Sequence, residues 1–459
     1  MIDTLPDDVL LEIFEFYLDE AFSEDGWHAL VHVCQRWRNL VFGSPRRLDL
    51  QLRCTEKRPV REMLDVWPAL PIAISGNGYN GFSTSGADNI AAALECNDRV
   101  CVFDLWGDLT SILSRSAVAI QKPFPVLLNL NLRSNKEWVP PLSDSFLGGS
   151  APLLRSIRLD SVPFPGVRKL LSTTSDLVHL GLWDISSSGH ISPETMVMSL
   201  SSLTQLKSLY LGFQSRPGSE SQHSSPQTCV LLPNLTHFCF QGANEYLEEL
   251  VAHIDAPLLH YVRIILFNEH SFDISELPQF INRSEKFTSL NTTTADLTFS
   301  KNSIELTVSL QTETVGGIRL ALCISCKESI GPPASLSHVF GSSLPPLSTS
   351  ERLDIRVEGN WRRLSQWEYA LENIEWTDLL RPFTAVKDLY LVEGVALRLA
   401  PALKDVAEGR VNDVLPALQN VFFEGLQPTG PVQEAIGRFA SARQLSSHPI
   451  VIHPWERRW

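Results

Sequence analysis

Several things are scarce or missing in this 459-residue chain. No run of eighteen or more uninterrupted apolar residues occurs, so no membrane span is expected. Basic residues are outnumbered, 38 against 52 acidic, for a formal charge of −14. A surface that negative repels phosphate backbones, which argues against nucleic acid as a partner. The dense basic spots Arg46-Arg47, Arg362-Arg363 and Arg457-Arg458 are too short to reverse this. The first apolar run is preceded by no basic cluster and carries Asp3, Asp7 and Asp8, unlike a secretory leader. An intracellular protein, cytoplasmic and/or nuclear, is therefore expected. The sequons Asn234-Leu-Thr236, Asn282-Arg-Ser284 and Asn291-Thr-Thr293 are then chance matches. Eight scattered cysteines fit buried thiols in a reducing compartment.

Catalytic signatures are also missing. No Ser-His-Asp, Gly-x-Ser-x-Gly, HExxH or P-loop pattern appears, and the 12 histidines are dispersed. The chain is not expected to be an enzyme, nor to need a cofactor or metal. Two partial motifs need separate weighing. Gly76-x-Gly78-x-x-Gly81 follows a strand pattern, but the next helical pattern begins near Asp88. Pyrophosphate binding needs those glycines at a helix N-terminus, so dinucleotide binding is not expected, although Asp104 lies at a plausible distance for a ribose carboxylate. Cys323-Ile-Ser-Cys326 stands alone, whereas a structural zinc site needs four ligands. Leu320, Leu322 and Ile324 alternate around it, which predicts a strand whose residues three apart face opposite ways.

What is present is ordinary globular composition, 44% apolar and 20% charged, arranged in two patterns. In the first, Val9, Leu10, Ile13, Phe14, Tyr17 and Leu18 recur at helical spacing, and Asp7, Asp8, Glu12, Glu15 and Asp19 cover much of the remainder. Thr4 and Asp7 have capping-box spacing, and Pro6 suits the first turn. After Ser23-Glu24-Asp25-Gly26, a second helix is predicted through Leu30, Val33, Cys34, Trp37, Leu40 and Val41, ending at Gly43-Ser44-Pro45. Two helices this short cannot bury both wide apolar faces on each other. Part of that surface must meet the rest of the chain or another protein.

The second pattern starts at residue 48. Leu48-Asp-Leu50-Gln-Leu52, Ile72-Ala-Ile74 and Val100-Cys-Val102-Phe103 read as strands. From residue 125 an apolar-x-x-apolar-x-apolar template recurs. It runs through Leu127/Leu130/Leu132, Leu154/Ile157/Leu159, Leu177/Leu180/Leu182, Leu206/Leu209/Leu211, Leu235/Phe238/Phe240 and Leu259/Val262/Ile264. It returns at Val386/Leu389/Leu391 and Leu418/Val421/Phe423. Its middle positions from Leu130 to Val262 lie 27, 23, 29, 29 and 24 residues apart, the period of a leucine-rich repeat. Only Asn135 stands where that repeat places its turn asparagine, so an irregular solenoid is expected. Helical returns are predicted at 166–172 and 245–253, and a longer helix at 361–383, with Trp361, Trp367 and Trp376 as core. The period breaks across 290–360, where DLTFSKNSIELTVSL reads as a β-hairpin turning near Lys301-Asn302. Polar segments at 215–228 and 331–350 read as loops.

Leu5-Pro6-Asp7-Asp8-Val9-Leu10-Leu11-Glu12-Ile13-Phe14, followed by Val33-Cys34-Gln35-Arg36-Trp37-Arg38, resembles the F-box motif. Asp8 stands where that family more often has Glu. The whole layout, with less specific residues at 59–74, resembles the large fungal families of F-box proteins with degenerate leucine-rich repeats. The resemblance implies an α/β fold: a short N-terminal helical F-box at 1–47, then an irregular leucine-rich-repeat-like β/α solenoid at 48–459. It also implies docking onto the Skp adaptor of a cullin–RING ubiquitin ligase through Leu5, Pro6, Ile13, Phe14, Val33, Cys34 and Trp37. The repeat body is then expected to hold a target protein. Side chains alternating with the buried ones are candidate anchors: Arg158, Tyr210, Arg263, Tyr390 and Phe422, with Trp183 just beyond a strand. Two alternatives are a non-catalytic scaffold without a ligase role and a repeat module whose N-terminal hairpin is only a cap.

Overall fold

The computed structural model describes residues 5–20, 26–136, 138–215, 229–267, 274–289, 293–300, 303–310, 318–325, 345–358, 376–392, 394–396, 398–399, 402–403, 413–424 and 431–455. The protein is mixed α/β, with open, mostly parallel sheets. It divides into two compact units, Met1–His190 and Ile191–Trp459.

In the first unit three helices come first: α1 (Asp7–Glu20), α2 (Gly26–Val31) and α3 (Gln35–Gly43). The single second helix predicted from periodicity is broken at His32–Cys34. Cys34 is extended (φ −158°, ψ 169°) and caps α3. The break leaves the last carbonyls of α2 without helical partners, and Arg38 Nε donates to that of Val31 at 3.1 Å. Pro6 sits just outside α1, its carbonyl accepting from the Leu10 N–H at 3.1 Å.

The sheet of this unit is wholly parallel, its strands side by side in chain order. They are β1 (Leu52–Thr55), β2 (Ile72–Gly78), β3 (Val100–Gly107), β4 (Asn129–Ser134), β5 (Ser156–Asp160) and β6 (His179–Ile185). Between them lie α4 (Val60–Val66), α5 (Thr84–Leu94), α6 (Thr110–Arg115) and α7 (Val167–Leu171). The strand predicted at Leu48–Leu52 starts only at Leu52. Asp49 is left-handed (φ 45°) and turns the chain, although Leu48 and Leu50 are buried as expected.

The second unit contains α8 (Pro193–Leu200), β7 (Ser208–Phe213), β8 (Val230–Leu231), β9 (His237–Gly242), α9 (Asn244–Ala252), β10 (Ile254–Asp255) and β11 (Tyr261–Phe267). It continues with α10 (Glu276–Asn282), α11 (Glu285–Thr288), β12 (Thr293–Phe299), β13 (Ser303–Leu310), β14 (Arg319–Ser325), α12 (Pro345–Ser348) and β15 (Ser350–Val357). It ends with α13 (Trp376–Leu380), β16 (Asp388–Leu391), β17 (Asn420–Glu424), α14 (Pro431–Leu445) and β18 (Val451–Trp455). The strand order is β7-β9-β11-β14-β13-β12-β15-β16-β17-β18, with β8 and β10 paired apart.

The predicted hairpin exists, as antiparallel β12 and β13. It continues, however, into β14, also antiparallel to β13. These three strands sit within the sheet: β14 pairs parallel with β11, and β12 pairs parallel with β15. The interruption of the period is thus a reversal of strand order inside the sheet. The hairpin turn and most of the predicted loops and the 361–383 helix lie outside the described residues; α13 and the buried Trp376 are the part described. The helical returns appear as α7 and α9.

The template residues form the core. Leu130, Ile157 and Leu180 lie in register on β4–β6, as do Leu209, Phe238 and Val262 on β7, β9 and β11. All are buried. Seven of the eight templates start with the same turn: the N–H groups of Leu127, Leu154, Leu177, Leu206, Leu235, Leu259 and Leu418 donate to the carbonyl three residues earlier at 3.1–3.3 Å. The carbonyls of Leu128, Arg155, Lys207, Thr236 and Lys387 each accept two N–H groups from the next strand at 2.8–3.1 Å. Position and orientation thus pass from one strand to the next through the backbone.

Deleting a core rung should therefore cost far more than deleting an alternating surface residue. Leu180→Ala or Phe238→Ala is expected to lower stability by about 2–5 kcal/mol, and Arg158→Ala by less than about 0.5 kcal/mol. Urea midpoints measure both; equal shifts would contradict the inward assignment.

Candidate functional site

The helical head is pinned on one side and open on another. Trp27 is buried, donates Nε1–H to the Gln51 carbonyl at 3.2 Å, and meets Trp67 edge-on at 5.2 Å between ring centroids. His28 stacks on the same Trp67 at 4.9 Å. Phe14 packs against Trp37 at 4.7 Å, joining α1 to α3. Arg36 adds a polar tie, donating to the Leu5 carbonyl at 2.5 Å and to Asp7 Oδ1 at 2.6 Å. That ion pair is exposed and contributes little, at most about 1 kcal/mol.

The broad apolar face predicted for α1 divides accordingly. Leu10 and Phe14 turn inward, Phe14 with 0% exposure. Ile13 (46% exposed), Phe16 (66%) and Tyr17 (43%) turn outward. Val33, in the break between α2 and α3, is 59% exposed, and Cys34 beside it is an exposed free thiol. Of the seven candidate docking residues, Pro6, Ile13, Val33 and Cys34 are exposed, Leu5 and Trp37 are half-buried, and Phe14 has no outer surface. Phe14 cannot touch a partner directly, because its ring is spent holding α3. Phe16 is the residue the sequence reading missed; it lies at helical spacing from Val9 and Ile13, which was the available signal.

The candidate target-binding residues stand on the solvent-facing rows of the sheets. In the first unit Arg158 lies between Asn131 and Gly181 in register. Its guanidinium approaches Asp160 at 3.8 Å. A Cβ built at Gly181 would meet Ile157 O at 3.6 Å and Arg158 Cγ at 3.7 Å, ordinary van der Waals contact, so the Arg158 stem lies against this glycine. Trp183 lies within β6, not beyond it, opposite Asp160 and half-buried. Burial raises the Asp160 carboxyl, opposed by Arg158.

In the second unit Tyr210, Cys239 and Arg263 share one row. Arg263 approaches Glu305 at 3.8 Å. Farther along, Tyr390 and Phe422 are register neighbours whose rings stack at 4.3 Å, nearly parallel. Arg352, which the sequence reading did not single out, covers a Tyr390 face at 3.9 Å. Nothing in β15 read alone marks that contact.

The partial motifs resolve as packing. Gly76 and Gly78 lie in β2, and α5 begins at Thr84, earlier than the helical pattern suggested, because Ser83 Oγ caps it by accepting from Gly86 N at 3.0 Å. The Phe82 ring fills the space over Gly78. A Cβ on Gly107 (φ +125°) would collide with the Gly78 backbone. Asp104 accepts from Asn131 Nδ2 at 2.9 Å. Cys323 lies buried in β14, and Cys326 is outside the described residues. Among the described residues no group of three or more His, Cys, Asp or Glu is placed to hold a metal, and no helix is long and apolar enough to cross a membrane. No protein-family model matches the chain, and no curated protein matches it.

Burial pushes the Cys54 and Cys239 thiols from the ordinary 9.0 up to about 12, and Cys323 up to about 11. At neutral pH a thiol reagent should label Cys34 and Cys229 in the folded chain and reach these three only on unfolding. The unfolded thiols ionise first as pH rises. The stability they contribute is complete below pH 9.0 and lost toward about 12. The urea midpoint should therefore fall on going above pH 9.0, less steeply in Cys54→Ala; a flat profile would show the thiols are not so held.

Proposed function

We propose that this chain is the substrate-recognition subunit of a Skp–cullin–F-box ubiquitin ligase. Residues 1–47 act as the F-box and dock the Skp adaptor, through it a cullin–RING ligase, while the leucine-rich-repeat-like body from 48 to 459 holds a target protein. The chain supplies placement. Ubiquitin transfer gains through effective concentration, with no catalytic residue contributed by this subunit.

One observation carries this reading: the outward apolar strip of Ile13, Phe16 and Tyr17 along α1, with Val33 also exposed in the break between α2 and α3, on a head that Trp27 and His28 fasten to Gln51 and Trp67. Apolar side chains exposed together in this way mark an interaction surface. The F-box resemblance includes Ile13 and Val33 among its docking residues and implies the Skp adaptor as the partner. The intracellular setting expected from the sequence is where such a ligase works.

The test is capture of the Skp adaptor by the full chain. Wild type is expected to bring the adaptor down, and Ile13→Asp/Val33→Asp to lose about tenfold or more in affinity with unchanged circular dichroism. Undiminished capture by that double variant would refute the docking assignment. Recovery of cullin, with a target whose half-life lengthens on deletion of this chain, separates a ligase receptor from a scaffold.

A further inference from the structure

The last strands of the second unit present a row of rings that the core does not use. Tyr390, Phe422 and His453 share one register row on β16, β17 and β18. Phe422 and His453 stack at 4.8 Å and 18°, extending the Tyr390–Phe422 pair. Trp455 meets Tyr390 edge-on at 5.3 Å. All four side chains are half-buried, each keeping an open side. The row is held in place by an amide: Asn420 Nδ2 donates to Asp388 at 2.8 Å, and Asn420 Oδ1 accepts from His453 Nε2 at 3.2 Å.

Carboxylates flank the rings along the strand direction. Asp388 precedes Tyr390 by two residues on β16, and Glu424 follows Phe422 by two on β17. Alternation puts them on the ring face, about 6.6 Å to either side of the row. Neither is ion-paired among the described residues. Arg352, the register neighbour of Asp388, is turned instead to Asp354 at 3.1 Å and to the Tyr390 ring. Arg356 is shared between Asp354 and Asp296, and Lys387 is bonded to Glu351 at 2.7 Å. The nearby cations are thus already committed to other carboxylates, and along β16 and β17 the order is Asp388, the Tyr390–Phe422 pair, then Glu424. Tyr390 itself ionises less readily than usual, chiefly through burial, opposed by Arg352 and reinforced by Asp388, which sets that carboxylate close to the ring.

We infer that this face binds an extended basic segment of a partner protein, of the form basic-x-apolar-x-basic. An extended segment also repeats every two residues. Laid along the strands, it sets one Lys or Arg against Asp388, an apolar side chain on Tyr390–Phe422, and a second Lys or Arg against Glu424. Naming this segment the target's recognition element rests on the receptor reading; the binding chemistry does not.

The experiment is fluorescence anisotropy of the full chain with three labelled peptides. One carries Lys-Ser-Leu-Ser-Lys, the second the same residues as Lys-Lys-Leu-Ser-Ser, the third Glu-Ser-Leu-Ser-Glu. The first is expected to bind tightest, with affinity falling as salt rises. Glu424→Lys should weaken it roughly tenfold, and Glu424→Gln less. Phe422→Leu, which keeps an apolar core-compatible side chain, should also weaken it, while Lys57→Ala, at an exposed position in the first unit, should not. Equal binding of the reordered or acidic peptide, or no effect of Glu424→Lys, would overturn the inference. Adaptor capture is scored separately on the same preparation. Capture without peptide selectivity removes this inference alone, and selectivity without capture removes the ligase reading alone.

Discussion

The structure rests on apolar side chains that can be buried only by their neighbours along the sheet. A single template strand, such as β5 with Ile157 and Leu159, has no partner of its own to cover it. It is dry because Leu130 and Leu132 lie in register on one side and Leu180 and Leu182 on the other. Parallel strands need crossovers between them, so each repeat must include a return. The returns differ, from five-residue α7 to nine-residue α9, and repeat length varies with them while the buried rungs stay aligned. The carbonyls that each accept two N–H groups from the next strand hold that alignment against changes in length.

This constraint also explains where recognition residues can sit. Side chains that alternate with the rungs carry little of the fold, so their identity is free to serve binding. The same row that places Leu389, Val421 and Phe423 inside places Tyr390 and Phe422 outside. The N-terminal head follows a related logic. Its three short helices cannot cover one another, and Trp27 and Phe14 spend the available contacts on the body and on α3. The outer side of α1 is what remains.

Much of this was legible beforehand, because a period-two strand and a period-3.6 helix leave distinct traces. The template strands, the β12–β13 pair and the strand around Cys323 lie where alternation put them. The errors have identifiable causes. Periodicity ran unbroken through His32–Cys34, since Leu30, Val33, Cys34 and Trp37 keep helical spacing across a backbone break. The inserted β14 was missed as part of a reversal because pairing direction leaves no mark in a strand's own residues. The start of α5 was placed late because Ser83 caps it ahead of any apolar pattern.

The sequence by itself determined which residues are rungs, which elements they build, and that an apolar surplus exists near the start of the chain. These follow from local periodicity, which needs no knowledge of neighbours. Tertiary structure alone decided that Phe14 turns inward and Phe16 outward, that Arg352 leaves Asp388 for Asp354 and Tyr390, and that Tyr390, Phe422 and His453 fall into one stack. Each of those depends on the register between segments tens of residues apart, and register is set by whole strands packing together.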